Sequence, residues 1–131
     1  MIGIDTNVLV RYLTDDDHEM ADRAERLLDH ECHPDSQAFI NSIVLCETAW
    51  VLRRHYRYSK EQIAVVIEAL LRAPSIAVEH DDLVEDALDH YRATGVEFSD
   101  AMIGLVNRQS GCAVTATFDR KAAGLDTFRP I

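Results

Sequence analysis

Four acidic residues, Asp5, Glu47, Asp100 and Asp119, stand where the local pattern predicts buried or half-buried surroundings. Asp5 ends the apolar run Met1-Ile2-Gly3-Ile4. Glu47 interrupts Ile43 to Cys46 and Ala49 to Leu52. Asp100 opens Ala101 to Val106, and Asp119 closes the strand-like run Val114 to Phe118. An unpaired carboxylate in such a setting is costly. Four of them in one place would repel, and some would hold protons at neutral pH unless a counter-ion were shared. A hard divalent ion, Mg²⁺ or Mn²⁺, takes carboxylate oxygens and water, so one or two such ions would relieve the repulsion. That arrangement suits phosphate chemistry, in which metal-held water attacks and the leaving oxygen is stabilised. No Cys or His accompanies the set, which disfavours zinc. Small polar residues flank the acids. Thr6, Asn7, Ser99 and Thr117 are candidates to fix carboxylate rotamers or hold metal-bound water.

Each acid also has a plain structural role open to it. Glu47 could pair with Arg11 or Arg54, Asp100 could favour a helix N-terminus, and Asp119 could cap a short helix at 120–123. Asn7, likewise, is as well explained by capping the first helix as by the site. It is the coincidence of four acids on one rim that argues for a site.

The elements that must position them alternate between strand and helix. Residues 1–4 read as a short buried strand, and Asp5-Thr6-Asn7 as the turn into a helix through Leu13. The run Asp15-Asp16-Asp17 reads as a solvated loop and cap before a helix carrying Met20, Ala24, Leu27 and Leu28. Residues 38–40 form a second strand, and Ser42 is placed to cap the helix of Glu47. Ser59 with Gln62 resembles a capping box before Ile63 to Leu71, stopped by Pro74. A third strand at 76–78 precedes a helix beginning near Asp82, for which Gly95 suits the C-terminal cap. Ser99 is read as the cap of the Asp100 helix, which Gly111 ends. A fourth strand is expected at about 112–118 and a fifth near 127–128. Strands alternating with helices imply an α/β fold with a mostly parallel sheet covered on both faces. Ligands in such sheets gather beyond the carboxyl ends of the strands, which is where Asp5 and Asp119 fall.

Composition bounds the reading. The 131 residues suit one domain spanning 1–131, with 47% hydrophobic and 27% charged residues as in soluble globular proteins. No apolar run approaches the roughly 20 residues of a membrane span, and the start lacks a basic-then-apolar leader pattern, so a cytoplasmic location is expected. A net charge of −10 argues against nucleic-acid binding by a general basic field. The cations are eleven Arg and two Lys, and Arg suits bidentate phosphate recognition. Among three cysteines there is no C-x-x-C pair, and Cys46 and Cys112 read as small core residues.

The segments Ile4-Asp5-Thr6-Asn7-Val8-Leu9, Glu47-Thr48, Phe98-Ser99-Asp100-Ala101-Met102-Ile103 and Thr117-Phe118-Asp119 resemble the motifs of PIN-domain nucleases. In length and order they are most similar to VapC-type toxins of bacterial type II toxin–antitoxin systems. The resemblance covers essentially the whole chain. It implies a three-layer α/β/α PIN-like domain, a short mostly parallel sheet flanked by helices, and Mg²⁺- or Mn²⁺-dependent endoribonuclease activity. Asp5, Glu47, Asp100 and Asp119 match the family's metal-site acids. Asn7 and Thr117 match supporting positions. A homodimer and inhibition by a small VapB-type antitoxin protein are implied as well.

Arg53-Arg54-His55-Tyr56-Arg57-Tyr58 interleaves cations with aromatics and could grip phosphates and bases, although arginines also complement a helix C-terminus. Arg11 and Arg120 lie nearer the acids, where they could orient phosphate or contact an antitoxin. Three other readings stand beside the nuclease. A haloacid-dehalogenase-like phosphohydrolase would use Asp5 as nucleophile but wants an acid where Asn7 stands. A receiver-type signalling module wants an acidic pair at the end of the first strand and a Lys after the last, but Asp5 lacks an adjacent acid and neither Lys60 nor Lys121 is suitably placed. A non-catalytic metal-binding interaction module would keep the acids without turnover.

Overall fold

The computed structural model describes residues 1–131, and the chain divides into two compact units, Met1–His80 and Asp81–Ile131.

The first unit runs β1 (Ile2–Gly3), α1 (Thr6–Leu13), α2 (His18–Glu25), β2 (Ala38–Ile40), α3 (Ser42–Arg54), α4 (Lys60–Arg72) and β3 (Ile76–Val78). The three strands form a parallel sheet in the order β1-β2-β3, with Ile2 opposite Ala38 and Ala38 opposite Ile76. Parallel neighbours need long crossovers, and each is supplied by a helical pair, α1 with α2 and α3 with α4. Beyond α2 the helix widens into π-helical turns at Arg26–Glu31, ended where the Cys32 N–H reaches the Leu27 carbonyl at 3.0 Å.

Capping explains most of the helix starts. Asp5 caps α1 and Asp17 caps α2, each accepting a backbone N–H of its own helix. Ser59 and Gln62 close the expected capping box on α4. For α3 the cap is Asn41, not Ser42: Asn41 Oδ1 accepts the Val44 N–H at 2.9 Å. The Ser42 N–H instead donates to Glu79 Oε1 at 2.9 Å, a bond that holds the Glu79 carboxyl below its ordinary range.

Burial departs from the sequence reading in two places. β1 is not a buried strand: Ile2 and Gly3 are exposed at the edge of this three-stranded sheet, and only Ile4, after it, is buried. α3 is apolar nearly all round, so composition leaves its packed face undecided. Val44, Leu45, Thr48, Ala49 and Leu52 are buried. The ridge Ile43-Glu47-Trp50 is the exposed side, with Ile43 at 71% and Trp50 at 54%.

The second unit runs α5 (Asp81–Ala93), α6 (Phe98–Gln109), β4 (Thr115–Thr117), a 3₁₀ turn at Ala122–Gly124 and β5 (Phe128–Pro130). β4 and β5 pair in parallel, with Thr115 opposite Phe128. α5 and α6 pack together, and Tyr91 meets Phe98 edge to face with ring centres 6.2 Å apart. Gly104 is where α6 approaches β5, because a methyl group there would lie 2.7 Å from Phe128 Cε2 and 2.8 Å from Thr127 Cβ. Gly111 ends α6 with φ of 98°, as expected of a C-terminal glycine. Gly95 does not play that part for α5, whose end is closed by the Thr94 N–H and hydroxyl on the His90 carbonyl. Nor is Ser99 a cap, because α6 begins at Phe98 with Glu97 before it, and Ser99 lies inside the first turn. β4 is shorter than expected, since residues 112–114 are exposed and unpaired with any strand.

Six helices and short strands, paired in parallel within each unit, make this an α/β chain of the three-layer α/β/α PIN-like class. None of its helices is long and apolar enough to cross a membrane. Of the two cysteines expected in the core, Cys46 is half-buried and Cys112 is exposed in the loop after α6, while Cys32 is buried. Burial pushes the Cys46 thiol up to about 11, which makes it a poor nucleophile near neutral pH.

Candidate active site

In the first unit, the turn from β1 into α1 brings Asp5 and Glu47 together. Asp5 Oδ1 accepts the Thr6 N–H at 2.8 Å as the N-terminal cap of α1. The Thr6 hydroxyl donates to Glu47 Oε1 at 3.3 Å. One threonine therefore touches both carboxylates, although Glu47 lies 41 residues further along the chain. Asp5, Thr6, Asn7 and Glu47 line an open cleft of about 620 Å³ with Val10, Arg11, Asp16, Val51, His55 and Tyr56. The expectation that the acids are buried fails here: Asp5 and Glu47 are exposed. Solvation removes the cost of keeping both charged, and it leaves their free oxygens open to a ligand.

The second unit holds the other pair. Asp100 stands in the first turn of α6, and Asp119 follows β4. Both line a hollow of about 460 Å³ with Gly95, Val96, Glu97, Arg120 and Lys121. Asp119 Oδ1 accepts two N–H groups, from Lys121 at 2.8 Å and Ala122 at 3.0 Å, so the capping role considered for it is filled. The Asp119 N–H in turn donates to Thr117 Oγ1 at 2.9 Å, which pins the tight turn through Phe118. Asp100 is the half-buried acid of the four, and its carboxyl titrates above the usual range. Desolvation is the main cause, followed by the negative charges of Asp119 and Glu97. Asp119 and Glu97 are exposed.

A family model for the PIN domain matches residues 2–127. The chain belongs to the PIN-domain family. Among curated proteins, a VapC ribonuclease of Aquifex aeolicus (strain VF5) is 23% identical over 129 residues, covering 97% of this chain and 95% of the relative.

The donor chemistry of this PIN domain fits a hard divalent ion. Asp5 and Asp119 each commit Oδ1 to backbone N–H groups and keep Oδ2 without a protein hydrogen bond. Glu47 commits only Oε1, to a hydroxyl. No three His, Cys, Asp or Glu side chains gather into a ready-made cage. Free carboxylate oxygens of this kind would suit a hard divalent ion such as Mg²⁺, which keeps several waters and needs only one or two carboxylates. Asp100 is raised first by desolvation and then by the negative charges of Asp119 and Glu97, and a cation would offset the charge part.

The arginines divide by role. Arg11 pairs with Asp16 at 2.8 Å rather than with Glu47, and it lines the cleft. Arg120 lines the second hollow. Arg53 is structural, its Nη1 donating to the Tyr58 carbonyl at 3.0 Å. Arg54 and Arg57 are exposed and outside the residues that line the cleft, whereas His55 and Tyr56 of the same stretch are inside it. Sequence reasoning missed Asp16. Nothing in Asp15-Asp16-Asp17 distinguishes the middle residue, yet its neighbours pair with His18 and cap α2 while Asp16 faces the cleft.

Proposed function

We propose that this PIN domain is a metal-dependent endoribonuclease, the toxin of a toxin–antitoxin pair, hydrolysing RNA phosphodiester bonds. The observation that carries the reading is the Asp5–Thr6–Glu47 arrangement, which presents two exposed carboxylates in an open cleft of about 620 Å³. The VapC ribonuclease of similar length supports RNA as the substrate. One domain over 1–131 is proposed, since the matched family region of 2–127 covers most of both compact units.

In this reading Asp5, Glu47, Asp100 and Asp119 hold one or two Mg²⁺ or Mn²⁺ ions. Bound there, the metal lowers the pKa of water, orients the phosphodiester and offsets the charge that develops on the leaving oxygen. The chain's own part is to fix oxygens. The Thr6 N–H and hydroxyl set the rotamers of Asp5 and Glu47, and the Lys121 and Ala122 N–H groups set Asp119. Asn7 supports the first pair, and Ser99 and Thr117 the second. One of these carboxylates assists as general base. Arg11 and Arg120 offer guanidinium groups to backbone phosphates at the two hollows. A VapB-type antitoxin as partner, a homodimeric state and a cytoplasmic location complete the proposal.

The test is cleavage of a panel of structured and single-stranded RNAs with Mg²⁺, Mn²⁺ or EDTA, beside Asp5→Ala prepared in parallel. Cleavage that needs metal and vanishes in the variant is expected. Equal cleavage by both proteins would trace the activity to a contaminating ribonuclease, and Mn²⁺ binding without any turnover would displace the nuclease in favour of a non-catalytic metal-binding module.

A further inference from the structure

One carboxylate in the Asp5 cleft takes no part in the metal reading and yet holds two side chains from different places in the chain. Asp16 Oδ1 accepts from Arg11 Nη1 at 2.8 Å and Asp16 Oδ2 from the Tyr56 hydroxyl at 2.7 Å, with the Thr14 hydroxyl, which donates to the Val10 carbonyl at 2.7 Å, 3.3 Å from Oδ1. Stability does not account for this. The Arg11 and Asp16 side chains keep 32% and 49% of their surface, and exposed ion pairs of that kind contribute little. What the bonds do fix is orientation, tying α1 to the chain just beyond α3.

Arg11 is the one Arg or Lys among the ten residues lining the cleft, which also presents Asp5, Asp16 and Glu47. A polyanion entering a chain of net charge −10 needs that cation held in place. Asp16 engages Nη1 alone, leaving Nε and Nη2 as donors for a phosphate. Beside it lie two flat rings, Tyr56 and His55, both lining the cleft. Trp50 braces the His55 ring edge to face at 5.6 Å between centres. A guanidinium next to aromatic faces reads an unstacked nucleotide, the phosphate on one and the base on the other. Bases inside a duplex do not offer those faces.

We propose that Asp16 is a positioning residue that holds Arg11 and Tyr56 as one wall against single-stranded RNA, Arg11 taking a backbone phosphate and Tyr56 a base. The inference rests on the nuclease reading and narrows its substrate class. Asp16 itself, being anionic, touches no phosphate and acts through its two partners.

Steady-state cleavage of an unpaired oligoribonucleotide, and of the same strand in a perfect duplex, tests the wall in the full chain with Mn²⁺. Asp16→Asn is expected to raise KM for the single strand about fivefold to tenfold, the loss of one charge-assisted contact, with kcat within about twofold. Tyr56→Phe, which keeps the ring and loses the tether, should raise KM less than Tyr56→Leu. Arg11→Ala should lower the slope of log(kcat/KM) against log[salt] by about one. The wild type should cleave the single strand in preference to the duplex. Should Asp16→Asn fail to fold, the tyrosine pair and Arg11→Ala carry the test alone. Unchanged KM in these variants, or a fall in kcat alone, overturns the inference while leaving the nuclease reading intact. So does lost binding of a protein partner with KM preserved. Wild-type protein that cleaves no RNA with either metal overturns the nuclease reading, and the inference falls with it.

Discussion

Thr6 bonds Glu47 through its hydroxyl at 3.3 Å while its own N–H bonds Asp5 at 2.8 Å, so the first residue of α1 sets the geometry of two carboxylates. Any ligand shared by Asp5 and Glu47 therefore depends on how α1 begins. Thr6→Val keeps the shape and the backbone N–H but loses the hydroxyl. The expected result is a fall in kcat/KM of about tenfold, or about 1.4 kcal/mol, with Tm little changed. Activity equal to wild type would show that Glu47 needs no such tether.

Asp100 supplies a pH signature in metal-free protein. Its folded-state affinity for protons is raised, so between its ordinary value of 3.8 and the raised one the folded state binds more protons than the unfolded. Stability from this group is thus present at low pH and is lost as pH rises through that window. In EDTA, Asp100→Asn should be more stable than wild type at neutral pH, with the difference vanishing below 3.8. Saturating Mn²⁺ should reverse the order, since a ligand at 100 times its Kd stabilises by about 2.7 kcal/mol and the variant loses a donor. Thermal melts across pH with and without the metal check both signs.

Glu79 gives the opposite case. Its carboxyl is held low chiefly by the Ser42 N–H at the start of α3. A depressed carboxylate stabilises above its unfolded value of 4.5 and loses that contribution as pH falls through the folded one. Glu79→Gln should cost about 0.5–1 kcal/mol at pH 7, the usual worth of a carboxylate at a helix N-terminus. The wild-type and variant stabilities should converge in acid. Parallel curves down to pH 2 would assign the bond no electrostatic part.

Gly104 has no room for a methyl group against Thr127 and Phe128, both buried. Gly104→Ala gains helix propensity but must push α6 away from β5. Destabilisation of about 1–3 kcal/mol is expected in chemical denaturation, as for other overpacked cores. A stabilised variant would mean that the side chains yield freely.

Much of this arrangement is local and legible. Asp5 after a strand and before Thr6-Asn7, the Ser59–Gln62 capping box, and Gly111 after α6 follow from short-range hydrogen bonds and backbone preference. Three of the four PIN-domain motifs are readable for the same reason, being a few contiguous residues at an element boundary, whereas Glu47-Thr48 lies inside α3. Errors arose where two partners compete for one position. Asn41 rather than Ser42 caps α3, and Glu97 rather than Ser99 precedes α6, because a one-residue shift in a helix start costs little locally.

The amino-acid sequence by itself determined which residues carry charge, where helices begin to within a residue or two, and that Asp5 and Asp119 sit beside helix-like turns whose N–H groups need acceptors. Tertiary structure alone decided which face of the all-apolar α3 is packed, and so placed Glu47 in solvent beside Thr6 instead of in a core. It alone singled out Asp16 from three consecutive aspartates. The reason is physical: caps and turns are satisfied within a few residues, but a side-chain rotamer on an exposed face is set by partners from distant chain. Tyr56 reaches Asp16 across 40 positions and Thr6 reaches Glu47 across 41, separations at which no local pattern records the pairing.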